Sequence, residues 1–133
     1  MTKKVWLITG ASKGIGLAVA KFLLKQGDSV IATSRNEKRL IEKISSEIDN
    51  FLPLKLDITN KNDVFEAIKT GVKKFKKIDV LVNNAGYLQA GSLEDTSNEE
   101  IRSVFEVNVL GTINMIKAVI PEMRKQGNGH IIN

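Results

Sequence analysis

The chain has 133 residues, of which 42% are hydrophobic and 26% are charged, a length and balance typical of one globular domain. It contains no cysteine, which excludes a disulfide framework and a thiolate metal site and is compatible with a cytoplasmic location. The formal net charge of +5 is too diffuse to indicate a nucleic-acid partner. No uninterrupted apolar run approaches the roughly 20 residues of a membrane span and no signal peptide is recognisable, so we expect no membrane partner.

The first predicted element is a short apolar strand that ends at Thr9 and runs into a glycine-rich turn, after which a helix begins. The glycines of this turn, Gly10, Gly14 and Gly16, have the spacing G-x-x-x-G-x-G, and no G-K-[ST] of a Walker loop follows. A helix N-terminus attracts phosphate through its free N–H groups, and glycine lets a pyrophosphate come close to the backbone. The turn therefore predicts a nucleotide site, with a tight connection that holds no ligand as the alternative.

The two helices that follow have apolar residues at helical spacing. In the first, four residues are expected to face the core: Ile15, Val19, Phe22 and Leu23. A strand at 29–33 precedes the second, in which three isoleucines are expected to face inward: Ile41, Ile44 and Ile48. The third strand, 51–56, contains Pro53, which cannot donate to a strand ladder, so the sequence predicts an edge position.

The second half of the chain continues the alternation. A third helix carries the apolar stripe Val64, Ile68 and Val72. The fourth strand, 78–82, is expected to turn Ile78, Val80 and Val82 to one face, and it ends at 83–86, Asn-Asn-Ala-Gly. Ser97 and Glu100 then match a capping box, and a long helical pattern follows to about Lys125, with a bend expected from Gly111 and Pro121. His130 opens a fifth strand.

This pattern predicts an α/β fold: a doubly wound parallel sheet of the Rossmann type, in the order 3-2-1-4-5, with helices on both faces. We expect a single domain over residues 1–133. A ligand crevice is expected at the carboxyl ends of the first and fourth strands, where the winding direction reverses. The glycine turn and residues 83–86 both fall there.

Four motifs occur in order along the chain. They are T-G-x-x-x-G-x-G at residues 9–16, D-x-[TD] at Asp57-Ile58-Thr59, N-N-A-G at 83–86, and N-x-x-G at Asn108 and Gly111. With these motifs the chain resembles, from residue 3 to residue 133, the short-chain dehydrogenase/reductase family.

The resemblance implies an oxidoreductase that uses NAD(P) to interconvert a small-molecule alcohol and carbonyl. It implies that the glycine turn holds the ribose and pyrophosphate, that Asp57 and the Ile58 backbone face adenine, and that 83–86 support the adenosine ribose and the crevice wall. Asn108 matches a residue whose backbone carbonyl supports the catalytic proton relay through a water. The cofactor-binding candidates are Gly10, Ser12, Lys13, Gly14, Ile15, Gly16, Arg35, Asp57, Ile58, Asn83, Ala85 and Gly86. We also expect a homo-oligomer.

The end of the second strand indicates which cofactor is used. An acidic residue there suits the ribose of NAD, whereas an arginine suits the 2′-phosphate of NADP. The chain has Arg35 at this place, no acid at Thr33 or Ser34, and Lys13 inside the glycine turn. The sequence therefore predicts NADP rather than NAD.

The chain departs from the family pattern at its catalytic residues. In the family, a serine and a Y-x-x-x-K pair come after the fifth strand, whereas these residues stop at Asn133, and the single tyrosine, Tyr87, has Gly91 four residues later. We therefore expect residues 1–133 to be the amino-terminal, cofactor-binding part of a longer domain and to be inactive alone. One alternative is a nucleotide-binding module without catalysis; another, a methyltransferase-like domain, is disfavoured by Arg35 where an acid is needed.

Structural roles compete with each of these assignments. Asp57 would also serve as a cap of the third helix, Asn83 and Asn84 as turn formers, and Asn108 as a polar residue packed at a bend. His130 has no partner at metal-ligand spacing, so no metal is expected. The basic run 73–77 favours a solvated helix end over a nucleic-acid patch, because Phe75 extends the core stripe of its helix.

Overall fold

The computed structural model describes residues 2–45 and 47–133 and shows a five-stranded parallel sheet. The strands are β1 (Val5–Ile8), β2 (Ser29–Ser34), β3 (Phe51–Lys55), β4 (Val80–Val82) and β5 (His130–Ile132). The helices are α1 (Gly14–Lys25), α2 (Glu37–Ile44), α3 (Lys61–Phe75), α4 (Asn98–Phe105) and α5 (Thr112–Gln126). The order β3-β2-β1-β4-β5 confirms the predicted fold class and topology.

The central strand β1 joins the two halves of the sheet. It pairs with β2 on one side, from Val5 opposite Ser29 onwards, and with β4 on the other, from Trp6 opposite Val80 onwards. Just beyond β1 the pairing continues, since the Thr9 N–H donates to the Val82 carbonyl at 3.1 Å. The carboxyl ends of β1 and β4 therefore lie side by side, as the predicted crevice requires.

Side chains alternate between two hydrophobic cores, one on each face of the sheet. On one face, Leu7 and Leu81 are buried in a cluster with residues of α3 and α5, among them Ile68 and Met115. The cluster on the other face consists of residues of β1, β2 and β3 together with α1 and α2: Ile8, Ala11, Ala20, Leu23, Val30, Ala32, Leu40 and Phe51. Both faces of the sheet are thus covered by helices, which is the usual condition for parallel strands.

Two residues expected to face the core from α1 do not. Ile15 is 77% exposed and Phe22 is 61% exposed. The buried stripe of α1 is Gly16, Ala20 and Leu23, which has the same spacing but is displaced by one residue. The reason is the close approach of the helix to the turn: a Cβ at Gly16 would lie 2.6 Å from the Gly10 carbonyl oxygen, so only glycine can occupy the inner position.

Smaller corrections apply to α2 and to the start of β4. In α2 the fully buried residue is Leu40, whereas Ile41, expected to face inward, is 37% exposed. β4 begins at Val80, and Ile78 precedes it with its side chain in the cluster that contains Leu81. Because Ile78 lies outside the strand, the alternation that assigned it to the face of Val82 does not extend to it.

Several local expectations are confirmed. Pro53 lies in β3, which is an edge strand of the sheet. The capping box is present: the Ser97 hydroxyl accepts from the Glu100 N–H at 3.2 Å, and the Glu100 carboxylate accepts from the Ser97 N–H at 2.8 Å. The long helical pattern contains a π-helical segment, Glu106–Gly111, between α4 and α5, and Pro121 lies inside α5; the bend expected there stays a prediction.

The continuous helix from Asn98 to Gln126 is long and apolar enough, by length and composition, to cross a membrane. The sequence did not predict this helix as a span, because polar and charged residues such as Asn108 and Lys117 interrupt its apolar runs. In this fold α5 instead packs on the sheet through Met115, Val119 and Met123. Core helices of globular proteins have the same length and composition, so these features alone do not indicate a membrane span.

Candidate functional site

The glycine turn and the segment after β4 are held together by the buried side chain of Thr9. The Thr9 hydroxyl accepts hydrogen bonds from the N–H groups of Asn84, at 3.1 Å, and Ala85, at 2.9 Å. Thr9 is 1% exposed, so these bonds are shielded from water. Two of the four sequence motifs thus form one unit at the carboxyl end of the sheet.

Asn84, part of the predicted segment 83–86 but not one of the individually named candidates, strengthens the same junction. Its side-chain amide donates to the carbonyl oxygens of Thr9, at 3.1 Å, and Gly10, at 3.0 Å. A plain turn former would make no such contacts. The partners are 74 and 75 residues apart, so no local pattern in the sequence could have indicated the pair.

The three glycines of the turn have different roles. A Cβ at Gly10 would lie 2.8 Å from Ala85 Cα, and one at Gly16 would lie 2.5 Å from the side-chain nitrogen of Asn84. A Cβ at Gly14 would meet no atom of the described residues within 4 Å, and Gly14 has a φ of +57°. Gly10 and Gly16 are therefore required by packing, whereas Gly14 leaves open space beside the helix.

That open space lies at the N-terminus of α1. Lys13 occupies the N-cap position, is exposed, and provides no side-chain cap within the described part of the chain. The first turn contains no acidic residue, whereas α3 is capped by Asn60 and α4 by Ser97. The free N–H groups of α1 are therefore left to solvent or to an anion. Ser12, half-buried, and the exposed Ile15 border this end of the helix.

Arg35 and Asp57 lie at the carboxyl ends of β2 and β3. Asp57 Oδ1 accepts from the Thr59 hydroxyl at 2.7 Å and from the Thr59 N–H at 3.0 Å. The bond from the Thr59 hydroxyl is the largest cause that lowers the pKa of the Asp57 carboxyl. The bond from the Thr59 N–H and the charge of Arg35 lower the pKa further. The proposal that Asp57 caps the third helix is wrong, because the Asn60 side chain accepts from the N–H groups at the start of α3.

Ile58, next to Asp57, is 8% exposed and belongs to the core beside α3 and α5. Its carbonyl accepts a hydrogen bond from Asn114. Its N–H, by contrast, donates to no group among residues 2–45 and 47–133. An N–H that has no partner within the protein is available to an acceptor that a ligand supplies.

The remaining residues after β4 are positioned differently from one another. Ala85 packs against the turn, as described, and Gly86 is exposed. Asn83 points towards β5, where its amide donates to the side chain of Asn133 at 2.8 Å. Its Oδ1 is buried and has no hydrogen-bond partner in the described residues, so Asn83 retains an unused acceptor.

Asn108, in the π-helical segment, holds the loop that follows Gly86. Its side chain accepts from the Tyr87 N–H at 2.7 Å and donates to the Tyr87 carbonyl at 2.8 Å. Its own carbonyl accepts from the Thr112 hydroxyl at 3.0 Å. The side chain thus fixes the crevice loop, a contact that the sequence did not indicate, while the carbonyl already has one donor.

A family model for short chain dehydrogenases matches residues 4–133. The chain is 43% identical over 131 residues to Oxidoreductase BOA17 of Botryotinia fuckeliana, covering 96% of this chain and 47% of that protein. Together with the fold and the motifs, this shows that the chain belongs to the short-chain dehydrogenase/reductase family, a family of NAD(P)-dependent oxidoreductases.

Solved structures agree with this assignment. The structure of ElxO with NADP bound is 41% identical, with a TM-score of 0.87, over 98% of this chain and 54% of that one. A 3-ketoacyl-(acyl-carrier-protein) reductase from Brucella melitensis complexed with NADH is 36% identical, with a TM-score of 0.86, over 93% of this chain and 52% of that one. The chain therefore spans about half the length of the proteins that it matches.

Proposed function

We propose that residues 1–133 form the NADP(H)-binding part of an oxidoreductase that interconverts an alcohol and a carbonyl. The observation that carries the proposal is the uncapped N-terminus of α1, open at Gly14 and flanked by Lys13. A dinucleotide pyrophosphate fits this place because it offers negative charge and acceptors to free N–H groups. The bound nicotinamide would supply hydride transfer, and the residues of this chain would hold and orient it.

Arg35 supports NADP over NAD. It is exposed at the end of β2, and Thr33 and Ser34 beside it carry no charge. A guanidinium can bind a ribose 2′-phosphate in a fork geometry, whereas the diol of NAD calls for a carboxylate. Lys13 lies at the N-cap of α1 and adds a second cation for this phosphate.

At the adenine end, Asp57 and Ile58 offer a matched pair of groups. Asp57 Oδ1 is engaged by Thr59, and Oδ2 accepts no hydrogen bond from the residues that the structure describes. The open carboxylate oxygen and the open Ile58 N–H are an acceptor and a donor on adjacent residues. Adenine has the complementary pair, a donor at its 6-amino group and an acceptor at N1.

Residues 1–133 contain no Y-x-x-x-K pair of the family's catalytic proton relay. Asn108 fixes the crevice loop, but Tyr87 has Gly91 rather than a lysine four residues later. We therefore expect the 133-residue chain to bind the cofactor weakly and to turn over no substrate. A nucleotide-binding module without catalysis would bind in the same way, and no observation favours it.

Arg35→Ala tests the cofactor assignment. We expect the ratio of NADPH to NADH affinity to fall by roughly tenfold or more, because a charge-assisted bidentate contact is lost. Ligand-observed NMR on the 133-residue chain measures both affinities, and it suits weak binding. Arg35→Asp is expected to reverse the preference.

The matched control is Arg39→Ala, which removes an exposed arginine from α2 and is expected to leave the ratio unchanged. An unchanged ratio in Arg35→Ala would refute the choice of NADP. If the unmodified chain bound neither nucleotide, the proposed function itself would be wrong.

A further inference from the structure

Asn114, at the start of α5, makes a long-range contact with the turn after β3. Its side-chain Nδ2 donates to the Ile58 carbonyl at 3.0 Å, in a partly buried position and across 56 residues of sequence. The helix backbone comes close at the same point, since a Cβ at Gly111 would lie 2.6 Å from Ile58 Cγ1. Asn114 near the start of α5 and Gly111 at the end of the π-helical segment therefore both pack against the turn after β3.

The contact fixes one peptide group at both ends. The carbonyl of the Ile58–Thr59 peptide accepts from Asn114, and the N–H of that same peptide donates to Asp57 Oδ1 at 3.0 Å. Any rotation of this peptide would break both bonds. Asn114 therefore restrains the Asp57 carboxylate, although the two side chains do not touch.

We propose that Asn114 is a positioning residue for the base of the cofactor: it sets the selectivity for adenine by fixing the Asp57 carboxylate beside the Ile58 N–H. This inference rests on the proposed nucleotide site. Hypoxanthine differs from adenine at this edge, since its 6-position is an acceptor and its N1 a donor. A rigid acceptor and donor pair rejects hypoxanthine, whereas a mobile pair can rearrange to accept it.

The test compares NADPH with its hypoxanthine counterpart, by ligand-observed NMR on the 133-residue chain. Asn114→Leu keeps the branching and the number of heavy atoms of the side chain and removes its donor. We expect the adenine-to-hypoxanthine affinity ratio to fall by roughly fivefold, the effect of one hydrogen bond. Asn128→Leu, which changes an exposed asparagine in the turn before β5, is expected to leave the ratio unchanged.

A merely structural role for Asn114 gives a different result. Lower affinity for both nucleotides by the same factor, or an unchanged ratio, would overturn the inference while the proposed nucleotide site stands. If Asn114→Leu does not fold, Asn114→Asp replaces it, because a carboxylate of nearly the same shape cannot donate to the Ile58 carbonyl. Binding of neither nucleotide by the unmodified chain would overturn the proposed function, and this inference with it.

Discussion

The two edges of the sheet are built in different ways. At the β3 edge, the Val30 N–H donates to the Asn50 carbonyl and the Leu56 N–H donates to the Ser34 carbonyl. These bonds show that the alternate residues Phe51, Pro53 and Lys55 face outward. The Phe51 N–H donates to the Ile48 carbonyl at 3.0 Å, the Phe51 carbonyl accepts from Lys74 Nζ at 2.8 Å, and Pro53 has no N–H to offer.

The β5 edge has none of these devices in the part of the chain that the structure describes. The His130 N–H donates to the Asp79 carbonyl and the Ile132 carbonyl accepts from the Asn83 N–H, so both residues bond towards β4. The backbone of Ile131, between them, faces outward. β5 is three residues long, and its residues, His130, Ile131 and Ile132, include no proline or lysine.

The difference shows which edge the sequence closes. Proteins protect edge strands with proline, charge or covering groups, because an unprotected edge pairs with another strand. The β3 edge is protected and ends the sheet. The outward backbone groups of β5 have no such protection in the described residues, and in the 133-residue chain we expect this edge to cause self-association.

The largest effect is expected from placing a proline in β5, as Pro53 stands in β3. Ile131→Pro removes the outward N–H without removing a bond to β4, a position where proline is tolerated. We expect the concentration needed for self-association to rise by roughly tenfold or more, because pairing bonds between chains are lost. Light scattering across a dilution series measures it.

Ile131→Val, which keeps the N–H, is the matched variant and is expected to self-associate as the unmodified chain does. Circular dichroism confirms that both variants are folded. If the unmodified chain were a monodisperse monomer throughout the series, the contrast between the two edges would have no consequence in solution.

A smaller effect is expected from removing protection at the β3 edge. Lys74→Ala deletes the bond from Lys74 Nζ to the Phe51 carbonyl and leaves an acceptor open at the edge. We expect the free energy of unfolding to fall by about 1 kcal/mol and aggregation on heating to become faster. Thermal unfolding and turbidity measure the two effects.

Lys73→Ala, which removes the neighbouring exposed lysine of α3, serves as its control. Equal effects of the two substitutions would show that lost charge, rather than the edge contact, is responsible.

The smallest expected effect is a pH dependence of the stability, which comes from two carboxylates, Glu100 in α4 and Asp57 after β3. Bonds from the Ser97 N–H and hydroxyl lower the pKa of Glu100 below its ordinary 4.5, and bonds from Thr59 lower the pKa of Asp57 below its ordinary 3.8. A lowered pKa means that the folded state favours the carboxylate. Each stabilisation is therefore present above the ordinary pKa of its group, 4.5 for Glu100 and 3.8 for Asp57, and is lost as the pH falls through the lowered pKa of the folded state.

Thermal unfolding across this range is expected to show a gradual loss of stability. Glu100→Gln should remove the part of the pH dependence that comes from the capping box. Identical slopes for the variant and the unmodified chain would contradict the assignment to Glu100.

The sequence predicted the capping box at Ser97 from a local pattern, the sheet order from the alternation of strands and helices, and the edge position of Pro53 from its missing N–H. The phase of a short helix is harder to predict. In α1, Ile15 and Phe22 satisfy an apolar spacing as well as Gly16, Ala20 and Leu23 do. Only the contact between Gly16 and the turn decides between the two stripes.

The polar contacts of the site were mostly beyond prediction for another reason. Asn84, Asn108 and Asn114 use their side chains to hold backbone groups that lie between 21 and 75 residues away. Nothing in the neighbouring sequence distinguishes such an asparagine from one in a solvent-exposed turn. The motifs located the glycine turn and Asp57, and only the folded chain shows what keeps them in place.

The π-helical segment has a consequence for changes in chain length. It contains Asn108, which faces the Tyr87 loop, and it precedes Met115, which faces the core. An α-helix turns by about 100° per residue. Deleting one residue between them would rotate all of α5 relative to the loop, and would carry Met115 and Asn114 away from their partners together. Over evolutionary time this segment should therefore tolerate changes of residue type, except at Asn108 and Gly111, more readily than insertions or deletions.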